Sequence, residues 1–237
     1  MALRALITFG GWAGHEPDRV ADLFRSMLEE AGASVTVTDS LAAFDDPDAL
    51  RALDLIVPVW TMSELSREAA TNVSEAVARG VGLAGCHGGM CDAFRGNPLW
   101  QFMTGGNWVA HPGGDGVRYT VALDPEHALT SGIGDFEVAT EQYYLHVDPA
   151  NRVIATTTFP TVDWYHSPNG PVKMPVAWTR AWGLGRVYYN ALGHKAAVIA
   201  DGPPREMLRR GLLWAAEGKA LAAGQGVEAF QSPGNHG

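Results

Sequence analysis

Residues 3–9 are largely apolar apart from Arg4, the pattern of a strand buried on both faces of a parallel sheet. Val20, Leu23, Phe24, Met27, Leu28 and Ala31 then recur at helical spacing and predict a helix over 17–31. Pro17 suits its first turn and Gly32 the position just past its end. Residues 34–39 and 53–59 read as two further strands, separated by an acidic, proline-containing stretch. A second helix is predicted over 66–79, with Ala70, Val73 and Val77 facing inward, and a fourth strand over 81–86. The order β, α, β, β, α, β predicts a doubly wound open sheet.

The second half has a different texture. Gly105, Gly106, Gly113, Gly114 and Gly116 make 104–116 a long loop, a length unusual in a compact domain unless it serves a function. Residues 117–123, 152–157, 174–178 and 186–190 read as strands, and 204–216 as a closing helix with Met207, Leu208, Leu212 and Ala215 on one side. Residues 218–237, rich in Gly with Pro, Ser and Asn, read as a partly ordered tail. There is no internal repeat and no linker, so a single domain over 1–217 is expected.

Composition narrows the function classes. The chain has 237 residues, 46% hydrophobic and 18% charged, enough for a core without disulfide staples. A net charge of −9 offers no basic stripe for nucleic acid, and no apolar run reaches the ~18 residues of a membrane span. Met1-Ala2-Leu3-Arg4 runs directly into a strand without a leader pattern, and Cys86 and Cys91 are too few for a disulfide framework. A cytoplasmic protein is expected. Eight His and eight Trp are the compositional hint of more specific chemistry.

Ligands of open parallel sheets collect at the carboxyl ends of the strands. Those ends carry Gly10-Gly11-Trp12-Ala13-Gly14-His15-Glu16, then Trp60, then Cys86-His87-Gly88-Gly89, and finally Leu192-Gly193-His194. His15, His87 and His194 therefore converge on one rim. Residues 84–89, Ala-Gly-Cys-His-Gly-Gly, fit a tight strand-to-helix elbow in two registers, with either Cys86 or His87 at the crowded centre. In the first, Cys86 is a candidate thiolate nucleophile, its pKa lowered by the helix N-terminus and His87; the alternative is a small buried hydrophobe. If 141–146 is extended, Glu141 and Tyr143 share a face opposite His146, which assigns Glu141 to the cleft and His146 to the structure. His111, before Pro112 in the glycine-rich loop, reads as a lid or metal contact or as an exposed residue. Neutral imidazoles with one carboxylate suit Zn²⁺ or a related ion, although no compact ligand motif is present. Trp12, Trp60, Trp108 and Trp178 flank the rim, where flat rings suit sugar C–H surfaces, and tryptophan equally fills cores.

Several of these segments carry a family resemblance. Gly10-Gly11-Trp12-x-Gly14-His15, His87-Gly88-Gly89, Gly105-Gly106-x5-His111-Pro112, Glu141-Gln142-Tyr143-Tyr144-Leu145-His146-Val147-Asp148-Pro149, Met174-Pro175-Val176-x-Trp178-Thr179-Arg180 and Gly183-x-Gly185-Arg186-Val187-x-Tyr189-x3-Gly193-His194 resemble the ThuA (trehalose utilisation) family, in order along the chain. The resemblance implies a flavodoxin-like three-layer α/β sandwich of the class I glutamine amidotransferase-like superfamily. It also implies a role with trehalose or related disaccharides, some members operating beside dehydrogenases that make 3-keto sugars. Cys86 departs from the aliphatic residue usual in the family, and Cys86-His87-Gly88 is similar to the PfpI-type peptidases and deglycases. Met90 stands where a glutaminase would carry Gln, and His194 is followed by Lys195-Ala196 rather than x-Glu, which argues against glutamine amidotransferase activity.

The leading expectation is an enzyme acting on a carbohydrate, a small-molecule partner, with His87 and Glu141 as acid–base pair. Trp12, His15, Trp60, His111, Tyr143, Trp178 and His194 would bind substrate, and His15, His87, His111 and His194 are candidate ligands for a divalent metal. The alternatives are a cysteine-dependent hydrolase or deglycase built on Cys86 and His87, and a non-catalytic sugar-binding or regulatory module. Homo-oligomerisation is the default expectation for a soluble protein.

Overall fold

A computed structural model describes residues 2–226. Along the chain run β1 (Arg4–Gly11), α1 (Pro17–Glu30), β2 (Ser34–Thr38), α2 (Pro47–Arg51), β3 (Leu55–Thr61), α3 (Arg67–Ala78), β4 (Gly82–Cys86), α4 (Gly88–Cys91), α5 (Pro98–Thr104), β5 (Gly106–Ala110) and β6 (Val117–Leu123). They are followed by β7 (Phe136–Thr140), β8 (Tyr144–Val147), β9 (Arg152–Phe159), β10 (Val172–Trp182), β11 (Gly185–Asn190) and α6 (Gly202–Ala222).

Nine strands form one mixed sheet in the order β2-β1-β3-β4-β11-β10-β9-β6-β7. The first five are parallel. With β11 as the fifth parallel strand this is the 2-1-3-4-5 order of flavodoxin-like folds. From β10 outward the pairing is antiparallel. α1 and α6 pack together against the parallel strands, while α3 packs with α2 and α5. The result is the expected α/β sandwich. Burial follows from position in the sheet: all of β4 and nearly all of β3 are buried, as the continuous apolar runs require, whereas β6 alternates, with Val117, Tyr119 and Val121 inward and Arg118, Thr120 and Ala122 outward.

Three expectations are corrected. Residues 104–116 are not one loop: α5 ends at Thr104 and β5 pairs with β8, leaving 111–116 irregular. β7, α2 and α5 are present where no element was expected, and the extended stretch considered over 141–146 is a strand only from Tyr144, as β8. The closing helix continues past Ala216 to Ala222, because Gly218 packs against the methylenes of Arg186 and Ala222 is itself buried. The domain boundary expected at 217 thus falls inside α6, and residues 227–237 of the expected tail lie outside the described residues. Among the described residues no helix is long and apolar enough to cross a membrane.

Candidate functional site

The elbow after β4 resolves the choice of register. His87 has φ 48° and ψ −140°, a strained conformation for a residue with a side chain, whereas Cys86 is the last residue of the strand. A Cβ on Gly85 would lie 3.1 Å from the Pro58 carbonyl and one on Gly89 2.9 Å from Val59 Cα, so both neighbours of the elbow must stay small. The backbone of His87 is tied to β11: its N–H donates to the Asn190 carbonyl at 2.7 Å, and its own carbonyl accepts from the Tyr189 hydroxyl at 3.2 Å. Its Nδ1 lies 2.8 Å from the Ala191 carbonyl. A carbonyl only accepts, so Nδ1 carries the proton and Nε2 presents a lone pair. That lone pair faces Glu141 Oε2 at 3.1 Å.

Two more imidazoles surround the same carboxylate. His15, in the short turn between β1 and α1, shares a 2.7 Å hydrogen bond between Nδ1 and Thr61 Oγ1 at the end of β3. Its Nε2 is left for the cluster. His194, in the loop after β11, places Nδ1 3.3 Å from Glu141 Oε2 but out of line for a hydrogen bond, so this buried nitrogen is an orphan. The three imidazole centroids lie 4.7 to 5.5 Å apart. Glu141 comes from the segment between β7 and β8, held by Tyr119, whose hydroxyl donates to the Glu141 carbonyl at 2.9 Å. The Gln142 amide pins the same segment to Thr157, Thr158 and Thr161. Tyr143 stacks on His87 at 4.0 Å. One donor atom from each of His15, His87, Glu141 and His194 lies within 4.8 Å of the others, and all four residues are buried.

Electrostatics favour the ligand forms. Burial, reinforced by His87 and His194, lowers His15 to about 3. Burial also lowers His87, against the opposing pull of Glu141. For Glu141, burial works upward, and positive charge on the facing His194 and His87 rings works downward and prevails, holding the carboxyl below the usual carboxylate range; a cation among the lone pairs supplies the same pull. An ionised carboxylate beside neutral imidazoles is the state in which these groups coordinate a metal. A carboxylate oxygen facing a bare Nε2 is repulsive without a proton or cation between them. The orphaned His194 Nδ1 adds a third acceptor, so the donor set fits a divalent cation.

The remaining expected site residues divide sharply. His111 lies outside the four-residue cluster; its half-buried ring sits over Trp108 at 5.4 Å, with Nε2 3.7 Å from Glu141 Oε1. Trp12 is 47% exposed and meets the edge of His15 at 4.7 Å, while Trp108 lies 6.3 Å from Tyr143. Arg95 lies over the Trp108 ring at 4.6 Å, so of the two indoles it is Trp12 that stands exposed beside the cluster. Trp60 packs over Gly10 and donates its indole N–H to Ser63. Trp178 is a correction: it is fully buried, packed at a tilt against Tyr189 at 4.3 Å with its N–H given to the Thr104 carbonyl, and is a core residue. Cys86 is another. Burial pushes its thiol up to about 12, and Gly193 lies directly against its sulfur, which disfavours the reactive thiolate. His146 is exposed on β8, away from the cluster. Thr61, Asp115 and the Ala191 carbonyl, which contact the imidazoles, went unnoticed in the sequence. Thr61 follows Trp60 at the end of a parallel strand, so the rim rule could have found it, whereas Asp115 follows β5, outside the parallel strands, and a carbonyl has no sequence signature.

The blocks of sequence that supply these donors are those of one family: the ThuA family, described as trehalose utilisation, matches residues 4–215. The chain belongs to the ThuA family. Membership implies a role in trehalose utilisation. Among solved structures, a ThuA-like protein from Bacteroides uniformis ATCC 8492 superposes with a TM-score of 0.73 at 16% identity, covering 90% of this chain and 91% of that one. A ThuA-like protein from Parabacteroides merdae ATCC 43184 gives 0.71 at 19% identity, covering 92% and 91%. The β-galactosidase from Rahnella sp. R3 gives 0.59 at 17% identity, with 94% of this chain matching 32% of that enzyme. At these identities the likeness is one of fold. No curated protein matches the sequence.

Proposed function

We propose that this ThuA-family protein is a divalent-metal-dependent enzyme that modifies trehalose, a related disaccharide or a keto derivative of one. The observation that carries this reading is the buried donor set itself. Donor atoms, one each of His15, His87, His194 and Glu141, converge, while His15 Nδ1, His87 Nδ1 and His194 Nε2 face Thr61, Ala191 and Asp115. Ligating histidines are held by partners of this kind. A nitrogen-rich set with one carboxylate suits zinc or a similar ion. When bound, such a cation supplies Lewis-acid polarisation of a sugar carbonyl or hydroxyl oxygen.

The protein's own residues do the rest. Trp12, exposed beside His15, offers an indole face for sugar C–H surfaces. As ligands of the cation, His87 through Nε2 and Glu141 through Oε2, these two leave the role of acid–base pair in this reading. His111, at the mouth and outside the donor set, is free to move a proton at Nε2. Both cysteines are free and buried, in keeping with a reducing cytoplasm.

The test combines metal analysis with product analysis. Wild-type protein is expected to take up a stoichiometric ion from Zn²⁺ or Mn²⁺ solutions, and His15→Ala and His87→Ala to lose it. Incubation with trehalose and 3-keto-trehalose, followed by mass spectrometry, is expected to show conversion that stops after chelation and returns with metal. Wild-type protein that takes up no divalent ion overturns the reading.

A further inference from the structure

We propose that Asp115 is the outer carboxylate of the metal cluster, acting through His194, so that the 111–116 loop sets how tightly the cation is held. The inference rests on the metal-dependent reading above.

His87 and His194 each turn one nitrogen toward Glu141, and each of the three imidazoles has a nitrogen facing a group outside the cluster. For His15 and His87 the outer nitrogen makes a short bond, to Thr61 at 2.7 Å and to Ala191 at 2.8 Å. For His194 the group facing that nitrogen is Asp115, with Oδ2 3.8 Å from Nε2. Lys195 Nζ lies 3.4 Å from the same oxygen and keeps the carboxylate beside the ring. From the other side, Glu16 Oε2 accepts from the Ala196 N–H at 3.0 Å, so the His194 turn is fixed on both flanks. A carboxylate at the outer nitrogen holds the proton on Nε2, leaves the Nδ1 lone pair for the cation and raises its basicity. Closing the present gap to hydrogen-bond length takes a movement of about 1 Å.

The loop links both sides of the cluster. Its start contacts Glu141 Oε1 through His111 at 3.7 Å and its end contacts His194 through Asp115, so it bridges the cluster. Gly114 and Gly116, on either side of Asp115, have φ of 65° and 84°, with open space where a Cβ would lie. Glycine is required there for the backbone turn and not for close packing.

Zn²⁺ affinity measured by chelator competition tests the assignment, together with the visible spectrum of the Co²⁺-loaded protein. Asp115→Asn is expected to weaken Zn²⁺ binding about 10–100-fold and to shift the Co²⁺ bands, with the melting temperature of metal-free protein unchanged. Asp115→Glu, which keeps the carboxylate, is expected to recover most of the affinity. Asp163→Asn removes an equal charge from a neighbouring exposed loop and is expected to change neither reading. Wild-type affinity and spectrum in Asp115→Asn overturn the inference while leaving the metal reading intact, and equal losses in both Asn variants overturn it as well. Wild-type protein that binds no Zn²⁺ overturns both.

Discussion

At Cys86 and His87 a shift of one residue decides which chemistry the elbow can support. The strained position, with φ 48° and ψ −140°, projects its side chain into the site, and an imidazole occupies it. The thiol one residue earlier ends a buried strand, and burial pushes it up to about 12, so almost no thiolate exists at neutral pH. Iodoacetamide at pH 7.5 is therefore expected to leave both cysteines of the native protein unlabelled, with labelling appearing on unfolding. Cys86→Ala should cost about 1 kcal/mol of stability, from a small cavity, and leave metal uptake intact, whereas His87→Ala should abolish uptake. Mass spectrometry of the labelled native protein decides the matter: rapid modification of Cys86 would restore the cysteine-dependent alternative.

Among elements, the contact between α4 and β3 is what lets the elbow turn so sharply. Gly89 approaches Val59 so closely that an added Cβ would lie 2.9 Å from Val59 Cα, a backbone atom that cannot move aside. Gly89→Ala is accordingly expected to destabilise the protein by about 1–3 kcal/mol, the usual cost of overpacking, read as a lower urea midpoint. The same elements explain what the sequence could and could not disclose. β1, β3 and β4 were legible because parallel strands buried on both faces are continuous apolar runs, the edge strand β2 because Val35 and Val37 alternate with polar β-branched or small residues, and α1 and α3 because their buried faces recur at helical spacing. β5 and β8 were hidden: they pair only with each other, each is short, and the residues that complete the pair lie far away in the chain. His15, His87 and His194 were legible from the rule that parallel strands share one rim. Trp178 was misplaced by the same rule, because β10 continues to Trp182 and runs antiparallel to β11. Its carboxyl end lies at the opposite rim, which leaves Trp178 in mid-strand. Glu141 came from the resemblance and from side-chain alternation, since nothing local says that its segment crosses to the histidines.

For the molecule as a whole, burying the cluster sets the sign of the pH dependence of stability. His15 falls from 6.5 in the unfolded chain to about 3 in the fold, chiefly through burial, and His87 is lowered in the same direction. Between those two values the unfolded chain takes up a proton that the native state refuses, so acidification favours unfolding. This contribution to stability is fully present above pH 6.5 and is lost as pH falls toward 3, by ~1.4 kcal/mol per pH unit for each such group. Glu141, held below the usual range, acts in the same sense once pH drops under the 4.5 of an ordinary glutamate. Net charge predicts the opposite trend over part of this interval: the chain carries −9 at pH 7 and approaches neutrality near pH 5.3, which relieves self-repulsion. Specific burial should prevail, because solvent and salt screen the dispersed surface charge and scarcely reach the cluster. Urea unfolding of chelator-stripped protein is therefore expected to show stability falling by ~2 kcal/mol or more between pH 6.5 and 5. His15→Gln should remove about one proton's share of that slope, because glutamine can keep a polar contact to Thr61 but does not titrate. Stability that is flat or rising over the same interval would mean that the imidazoles are protonated in the native state, and the neutral-ligand form of the cluster would be lost with it.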